Sequence, residues 1–233
     1  IWKDPDRRKK YVDFYNQNFN DNRLRVYDGS YLTFPGMNPE KKMRPHQRNV
    51  IERAIHGSTL LAHAVGAGKT YEMAAICMEL KRLKLMNKAM IVVPNHLVGQ
   101  MASEFLTLYP GANLLVTRKE DFTKENRRKL TCKIAANNYD AVILGHSQFE
   151  RIPLSADRRA AMLEEQVDRI SNAVSELKEE QGAKWGIKDM ERQRANLEAQ
   201  ILELRNDAKK DDVLDFEQLG IDALFVDEAH VFK

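Results

Sequence analysis

The sequence predicts an α/β fold in which helices flank a parallel β-sheet. Two observations lead to this expectation. Residues 41–154 alternate short apolar runs with amphipathic segments of helical length, as a parallel layer requires. The apolar runs are continuous, which is typical of strands that are covered on both faces. We therefore expect a central parallel sheet, which one later strand continues after an interruption.

The alternating region divides into elements of ordinary length. We expect strands at 59–62, 89–93, 113–116 and 141–144, and helices at 44–55, 69–83, 96–108 and 125–136. A further apolar run at 221–226 predicts a buried strand of the same sheet. On this division the α/β domain comprises residues 41–154 and 213–233.

Residues 63–70 read HAVGAGKT and have the composition of a loop that binds phosphate. Gly66 and Gly68 allow positive φ angles and leave no Cβ between the backbone and a phosphate oxygen. With Ala67 between them, they can present backbone N–H groups to an anion. The helix expected from Lys69 onward adds its N-terminal dipole to the same site. We predict that this loop binds the phosphates of a nucleotide.

Two side chains at the end of the loop complete the predicted nucleotide chemistry. Lys69 supplies a flexible positive charge for the β- and γ-phosphates, and Thr70 offers a hydroxyl to Mg²⁺. These roles predict ATP and Mg²⁺ as cofactors. The loop departs once from the pattern G-x-x-x-x-G-K-[ST], because His63 stands where the pattern has glycine. The alternative is a glycine-rich turn that binds no ligand.

The second half of the predicted site is the sequence DEAH at 227–230, directly after the apolar run 221–226. Ligand crevices open at the carboxyl ends of parallel strands. We assign Asp227 to Mg²⁺, usually through water, and Glu228 to orienting or deprotonating the attacking water. His230 has two interpretations: it relays the nucleotide state to bound nucleic acid, or it caps the end of the strand.

Charge is unevenly distributed along the 233 residues, although the net charge is only +3. Residues 1–58 and 59–154 each carry a net +5, whereas 155–212 carry −3 and 213–233 carry −4. A polyanion could therefore dock on the first two thirds of the chain. A solvated surface explains the same excess.

The composition argues against a membrane protein and against a secreted disulfide scaffold. No apolar run approaches the roughly 18–20 residues of a membrane span, and we expect no signal peptide. Cys77 and Cys132 lack metal-ligand spacing and lie in helical patterns, which indicates reduced thiols of a cytoplasmic protein. The chain begins with Ile1 and stops three residues after His230, so we expect a fragment of a longer protein.

Residues 1–40 form a polar N-terminal extension with interleaved aromatic side chains. A helix is expected near 5–19, followed by an irregular stretch. We expect the aromatic side chains to pack on the next domain, and stacking on nucleobases is the alternative. They are Trp2, Tyr11, Phe14, Tyr15, Phe19, Tyr27, Tyr31 and Phe34.

Residues 155–212 predict an antiparallel helical hairpin, inserted before the last strand and paired as in a coiled coil. Apolar side chains recur at helical spacing over 163–177 and again over 187–204, with Arg194 as the exception. The glycine-containing stretch 182–186 separates the two helices. Net acidity argues against wrapping a nucleic-acid backbone. The hairpin is either an arm that binds a protein partner or another domain, or ordinary structure packed flat.

The motifs occur in an order that resembles superfamily 2 helicases and translocases. The matching phrases are RPHQ, AHAVGAGKT, IVVPNHL, VILGHSQF and VDEAH. They cover about 41–152 and 220–233, and this part resembles the first RecA-like motor domain, a P-loop NTPase. With YDGSYLTFPGMNP ahead and GHSQFERIP before the hairpin, the chain is most similar to the helicase segment of large methylase–helicase proteins of bacterial conjugative elements and phages.

The resemblance implies further site residues. Gln47 matches the glutamine whose amide reads the adenine ring. Pro94 and Gly145 open two segments that contact nucleic-acid phosphate in related motors. The polar side chains of these segments are Asn95, His96, His146 and Ser147. Each of them could equally cap a helix N-terminus, Asn95 in particular.

The resemblance also implies an ATPase that acts on DNA, with double-stranded DNA as the expected track. Its expected partners are a second RecA-like domain with an arginine finger, and a methylase region, both in the same longer polypeptide. Because the finger stabilises transition-state charge, we expect this chain alone to bind ATP–Mg²⁺ weakly and to hydrolyse it slowly. Unwinding by this chain alone is not expected.

Two other classes of protein remain open. An SMC-type structural ATPase head also inserts a helical hairpin between its nucleotide motifs, but its arms are usually far longer and no LSGG-like signature occurs here. A non-catalytic module could bind a partner through the hairpin and the aromatic N-terminus. Intact Lys69, Thr70, Asp227 and Glu228 argue against such decay.

Overall fold

A computed structural model describes residues 4–19, 25–179, 184–207 and 215–232 of the chain. Within these ranges four strands form one parallel sheet in the order β2-β3-β1-β4. The strands are β1 (Ala89–Val93), β2 (Leu114–Val116), β3 (Ala141–Gly145) and β4 (Ala223–Val226). The predicted α/β class with a parallel sheet is confirmed, and the architecture is consistent with a RecA-like fold.

Eight α-helices lie in the described residues. They are α1 (Pro5–Phe19), α2 (Pro45–Ile55), α3 (Lys69–Arg82), α4 (Val98–Leu108), α5 (Lys124–Ala136), α6 (His146–Phe149), α7 (Ala156–Glu179) and α8 (Lys184–Asp207). None of those within the described ranges is both long and apolar enough to cross a membrane. The helices predicted between the strands are found within two residues of their expected limits.

The sheet is covered on both faces, as the continuous apolar runs predict. Alternate residues of β1 point to opposite sides, because side chains alternate along a strand. Ile91 and Val93 pack in the same cluster as residues of α3 and α4, whereas Met90 and Val92 pack in the cluster that contains Leu130 of α5. All four β1 side chains are almost completely buried. This two-sided core holds the carboxyl ends of the strands in fixed positions.

One predicted strand is wrong. Residues 59–62 are irregular and pair with no strand in the described residues. A strand persists only where its backbone groups find partners, and this segment faces β4 across a groove of about 900 Å³. Leu60 is accordingly 83% exposed, and Leu224 on the facing edge of β4 is 46% exposed.

The expected packing of the N-terminal aromatics is correct only for part of the extension. Phe34 is buried in the main core, whereas Tyr31 is 64% exposed and only donates a hydrogen bond to Glu52 of α2. The aromatic side chains of α1 are exposed, contrary to expectation: Tyr11, Phe14, Tyr15 and Phe19. Helix α1 is too polar to bury a face, and Tyr15 stacks on Phe19 within the helix itself. Trp2 lies outside the described residues.

Helices α7 and α8 run alongside each other. Arg205 near the end of α8 lies 2.5 Å from Glu164 near the start of α7, so the two helices are antiparallel. Val174 of α7 and Ile201 of α8 are buried apolar side chains. Residues 180–183 between the helices lie outside the described residues.

Candidate nucleotide site

Residues 63–70, called the 63–70 loop below, run into α3, which begins at Lys69. Gly66 and Gly68 both have positive φ, +82° and +93°, and Gly68 is the N-cap residue of α3. Such angles favour glycine because a Cβ would crowd the backbone. A Cβ on Gly68 would also lie 2.4 Å from Nε2 of Gln47. The loop therefore requires glycine at this position for two separate reasons.

Lys69 folds back across the loop. Its ammonium donates hydrogen bonds to the carbonyl oxygens of His63, at 3.0 Å, and Ala64, at 3.3 Å. Among the described residues, both hydrogen-bond partners of the Lys69 ammonium are neutral carbonyl groups. Thr70 follows it in the first turn of α3 and is half-buried. A cation beside the N-terminus of a 14-residue helix forms a setting that favours an anion.

Gln47 lies against the loop as an integral part of the fold. It is only 5% exposed, its Nε2 donates to the carbonyl of Ala67 at 3.1 Å, and its Oε1 accepts from the backbone N–H of Arg44 at 2.9 Å. Both ends of the amide are therefore engaged within the protein. Reading an adenine ring would require the side chain to exchange these two bonds.

The DEAH residues follow β4 at the predicted carboxyl edge of the sheet. The backbone N–H of Asp227 donates to Val92 of β1 at 2.8 Å, which fixes the first residue after the strand. Glu228 has a φ of +51°, unusual for a residue with a side chain. His230 Nδ1 lies 3.2 Å from Oε2 of Glu228, and both side chains are exposed. Backbone strain of this kind clusters at functional sites.

One residue of the 63–70 loop and all four DEAH residues line the same groove beside β4. Lys69 lines this groove together with Asp227, Glu228 and His230. The structure thus places Lys69 and two acidic residues along one groove, whereas Gly66, Ala67, Gly68 and Thr70 do not line it. The set fits a nucleotide with a divalent cation, since the ammonium and the helix N-terminus suit phosphate and the carboxylates suit Mg²⁺.

His146 is placed differently from the expectation of a phosphate contact. It is buried, and its Nε2 donates to the carbonyl oxygen of Asp227 at 2.8 Å. Its ring also packs edge-on against Phe232, with centroids 5.0 Å apart. The side chain therefore connects the end of β3 with the end of β4 inside the protein.

Asn95 and Ser147 do come together, at the carboxyl ends of β1 and β3. Oδ1 of Asn95 accepts hydrogen bonds from the backbone N–H of Ser147, at 3.3 Å, and from its hydroxyl, at 3.1 Å. A Cβ on Gly145 would lie 2.2 Å from the same oxygen. His96 is exposed next to this pair. The three polar side chains are exposed at the carboxyl ends of β1 and β3.

Glu72 was missed at the sequence level. It lies in the first turn of α3 and is completely buried. His63 Nδ1 donates to its Oε1 at 2.8 Å, so the residue that replaces the first glycine of the loop pattern has a structural partner. The signal was a carboxylate on an otherwise apolar helix face, three residues after Lys69.

Comparisons with known proteins give one family. A family model described as "Probable helicase domain" matches residues 53–233, which include the 63–70 loop, the sheet and the DEAH residues. No curated protein matches the chain. The matched range covers most of the sequence, and the chain belongs to the probable helicase domain family.

Proposed function

We propose that this chain is the ATP-binding motor domain of a superfamily 2 DNA helicase or translocase. One observation carries the proposal: Lys69, Asp227 and Glu228 line a single groove. In the sequence, Lys69 lies 158 positions before Asp227. A helicase family match implies nucleotide use, and this groove holds the side chains that such use requires. The sequence resemblance favours the helicase segment of methylase–helicase proteins within this class.

Lys69 is the side chain that has to change partners when a nucleotide binds. Its ammonium leaves the carbonyls of His63 and Ala64 and binds the β- and γ-phosphates, because a phosphate is a stronger acceptor than a neutral carbonyl. Backbone N–H groups of Gly66, Ala67 and Gly68 surround the same anion. The loop is a P-loop, or Walker A motif, on this proposal.

Thr70 and Asp227 would hold Mg²⁺, and the ion would neutralise phosphate charge there. Glu228 orients or deprotonates the water that attacks the γ-phosphate. The positive φ of Glu228 supports this role, because it turns the backbone sharply between the metal ligand and the water-orienting residue. His230, beside Glu228, couples the nucleotide state to bound DNA.

The DNA contacts are assigned to the exposed edge formed by Asn95, His96 and Ser147. Polar side chains and backbone N–H groups at strand ends suit phosphate contacts. His146 is assigned instead to coupling, since it joins the carbonyl of Asp227 to the segment that carries Ser147. A shift of Asp227 on nucleotide binding would therefore reach the DNA edge through one hydrogen bond.

Duplex DNA is the proposed track, and a second RecA-like domain with a methylase region is proposed to complete the protein. The hairpin of α7 and α8 is proposed as an arm for a protein partner. Charged side chains of α7, such as the Arg169–Glu165 pair, are exposed to solvent, where a protein partner could contact them.

The proposal is tested by ATP turnover in the protein that contains the second domain, with and without duplex DNA. Wild-type turnover should rise when DNA is added. Glu228→Gln should retain ATP binding and lose turnover, because the amide cannot accept a proton from water. The exposed Glu203→Gln on α8 serves as the control. Wild-type turnover in Glu228→Gln, or turnover that ignores DNA, would argue against this assignment.

A further inference from the structure

A group of three metal-ligating side chains lies behind the 63–70 loop. His46 comes from the first turn of α2, His63 from the start of the loop and Glu72 from the first turn of α3. Their candidate ligand atoms all lie within 4.8 Å of one another. None of these three residues has a part in the nucleotide chemistry proposed above.

The carboxylate of Glu72 is unusual because it is buried and only partly hydrogen-bonded. It is completely buried, and only Oε1 has a partner, the imidazole of His63 at 2.8 Å. Oε2 is buried without any hydrogen-bond partner among the described residues. An unsatisfied buried carboxylate oxygen is costly and calls for an explanation, and a bound ion is one of the common ones.

The two imidazoles are arranged so that both reach the same carboxylate. His46 Nε2 lies 3.9 Å from Oε1 of Glu72, and the rings of His46 and His63 meet edge to face at 5.3 Å. The imidazoles are partly exposed, 41% for the His46 side chain and 28% for that of His63. An ion could therefore enter from solvent and find the buried carboxylate at the end of its path.

We propose that His46, His63 and Glu72 form a binding site for a divalent transition-metal ion, with Zn²⁺ as the occupant. Two imidazole nitrogens and one carboxylate oxygen are a donor set that Zn²⁺ accepts in proteins, with water in the fourth position. Bond lengths of about 2.0–2.2 Å place the ligand atoms of a four-coordinate ion roughly 3.3 Å apart. His46 Nε2 therefore has to approach Oε1 of Glu72 from 3.9 Å, and His63 Nδ1 has to move away from its present 2.8 Å. Rotation of the two partly exposed imidazoles supplies that movement.

Metal binding changes the hydrogen bonds of the loop. His46 Nε2 now donates to the carbonyl of Ala67 at 3.2 Å, and His63 Nδ1 donates to Glu72. A ligating nitrogen carries no proton, so the proton moves to the other ring nitrogen or to solvent. The ion would then join α2, the loop and α3 directly. Occupancy should therefore stabilise the fold and restrict the loop.

The test uses Co²⁺ as a spectroscopic probe, Zn²⁺ as the competitor and the whole chain without nucleotide. We expect one Co²⁺ per chain with the visible absorption of a four-coordinate ion, displaced by one equivalent of Zn²⁺. Zn²⁺ should also raise the Tm of the wild-type chain. His46→Ala and His63→Ala should each weaken metal binding at least tenfold and abolish the Tm shift.

A matched control comes from another histidine–carboxylate pair, at the C-terminal end of α2. His56 Nε2 lies 2.8 Å from Oε1 of Glu52, outside the proposed site, so His56→Ala should bind Co²⁺ as the wild type does. Because His46 is partly exposed, its variant is expected to fold. Unchanged Co²⁺ affinity in both His46→Ala and His63→Ala would overturn the site, as would equal loss in His56→Ala. None of these readouts depends on ATP.

Discussion

Replacement of Gly68 by alanine tests the geometry of the 63–70 loop directly. The residue sits at φ +93° and ψ +36°, and its α-hydrogen faces the buried amide of Gln47. Alanine at this position has to adopt the left-handed backbone region, and its methyl group has to displace that amide. The free energy of unfolding should fall for both reasons.

The magnitude follows from two contributions. A residue with a Cβ in the left-handed region costs about 1–2 kcal/mol. Moving Gln47 disturbs two hydrogen bonds, to Ala67 and from Arg44, each worth about 1 kcal/mol. Gly68→Ala should therefore lower stability by about 2–4 kcal/mol. Gly66→Ala is the matched control, because Gly66 has φ +82° and nothing within 4 Å of its Cβ position, so only the first contribution applies.

Urea denaturation of both variants measures the difference. We expect Gly68→Ala to be about 1–2 kcal/mol less stable than Gly66→Ala. In a Gln47→Ala background, which removes the amide, the two glycine substitutions should cost the same. Equal costs in the wild-type background would refute the contact with Gln47. A cost near zero for both would refute the left-handed loop.

Three further predictions concern other parts of the fold. Gly145→Ala should cost about 1–3 kcal/mol in urea denaturation by expelling Asn95 from its bonds to the 145–148 turn, and an Asn95→Ala background should recover part of this cost. Burial raises the pKa of the Cys77 thiol from 9.0 to about 12, so its stabilising effect is full below pH 9 and is lost as the pH rises towards 12. Between pH 8 and pH 10 the wild type should lose about 1 kcal/mol more unfolding free energy than Cys77→Ala, and an equal loss in both would contradict the assignment. Lys88→Met should lower stability by about 2–4 kcal/mol, because the Lys88 ammonium is buried against the carbonyl oxygens of Ile134 and Leu219, and a neutral effect on the Tm would show that those carbonyls find other donors.

The strands found in the sheet could be predicted from local sequence pattern, whereas the strand wrongly predicted at 59–62 shows the limit of that pattern. The runs at 89–93 and 141–144 are continuous and apolar, and burial on both faces leaves them no other arrangement. The run at 59–62 has the same character, yet it needs a partner strand beside it, and whether one exists is a property of the whole sheet. Local sequence carries no information on that point.

In the candidate site too, features set by local sequence could be predicted, and features that depend on residues distant in the sequence could not. The positive φ at Gly66 and Gly68 follows from residue type and spacing, and so does the position of Asp227 after its strand. The buried placement of His146 could not be predicted, because its partner is a backbone carbonyl 81 positions away. The pairing of His63 with Glu72 was equally hidden, since it depends on how the loop folds over α3.

ATP binding with and without Mg²⁺ in the wild-type chain and in Lys69→Ala tests the central claim most directly. The ammonium of Lys69 is predicted to bind the β- and γ-phosphates, so Lys69→Ala should lose at least tenfold in affinity, while Lys129→Ala, exposed on α5, should retain it. Mg²⁺ should strengthen binding in the wild type. Equal ATP affinity in Lys69→Ala and the wild type would contradict the assignment of residues 63–70 to phosphate, and with it the proposed motor function.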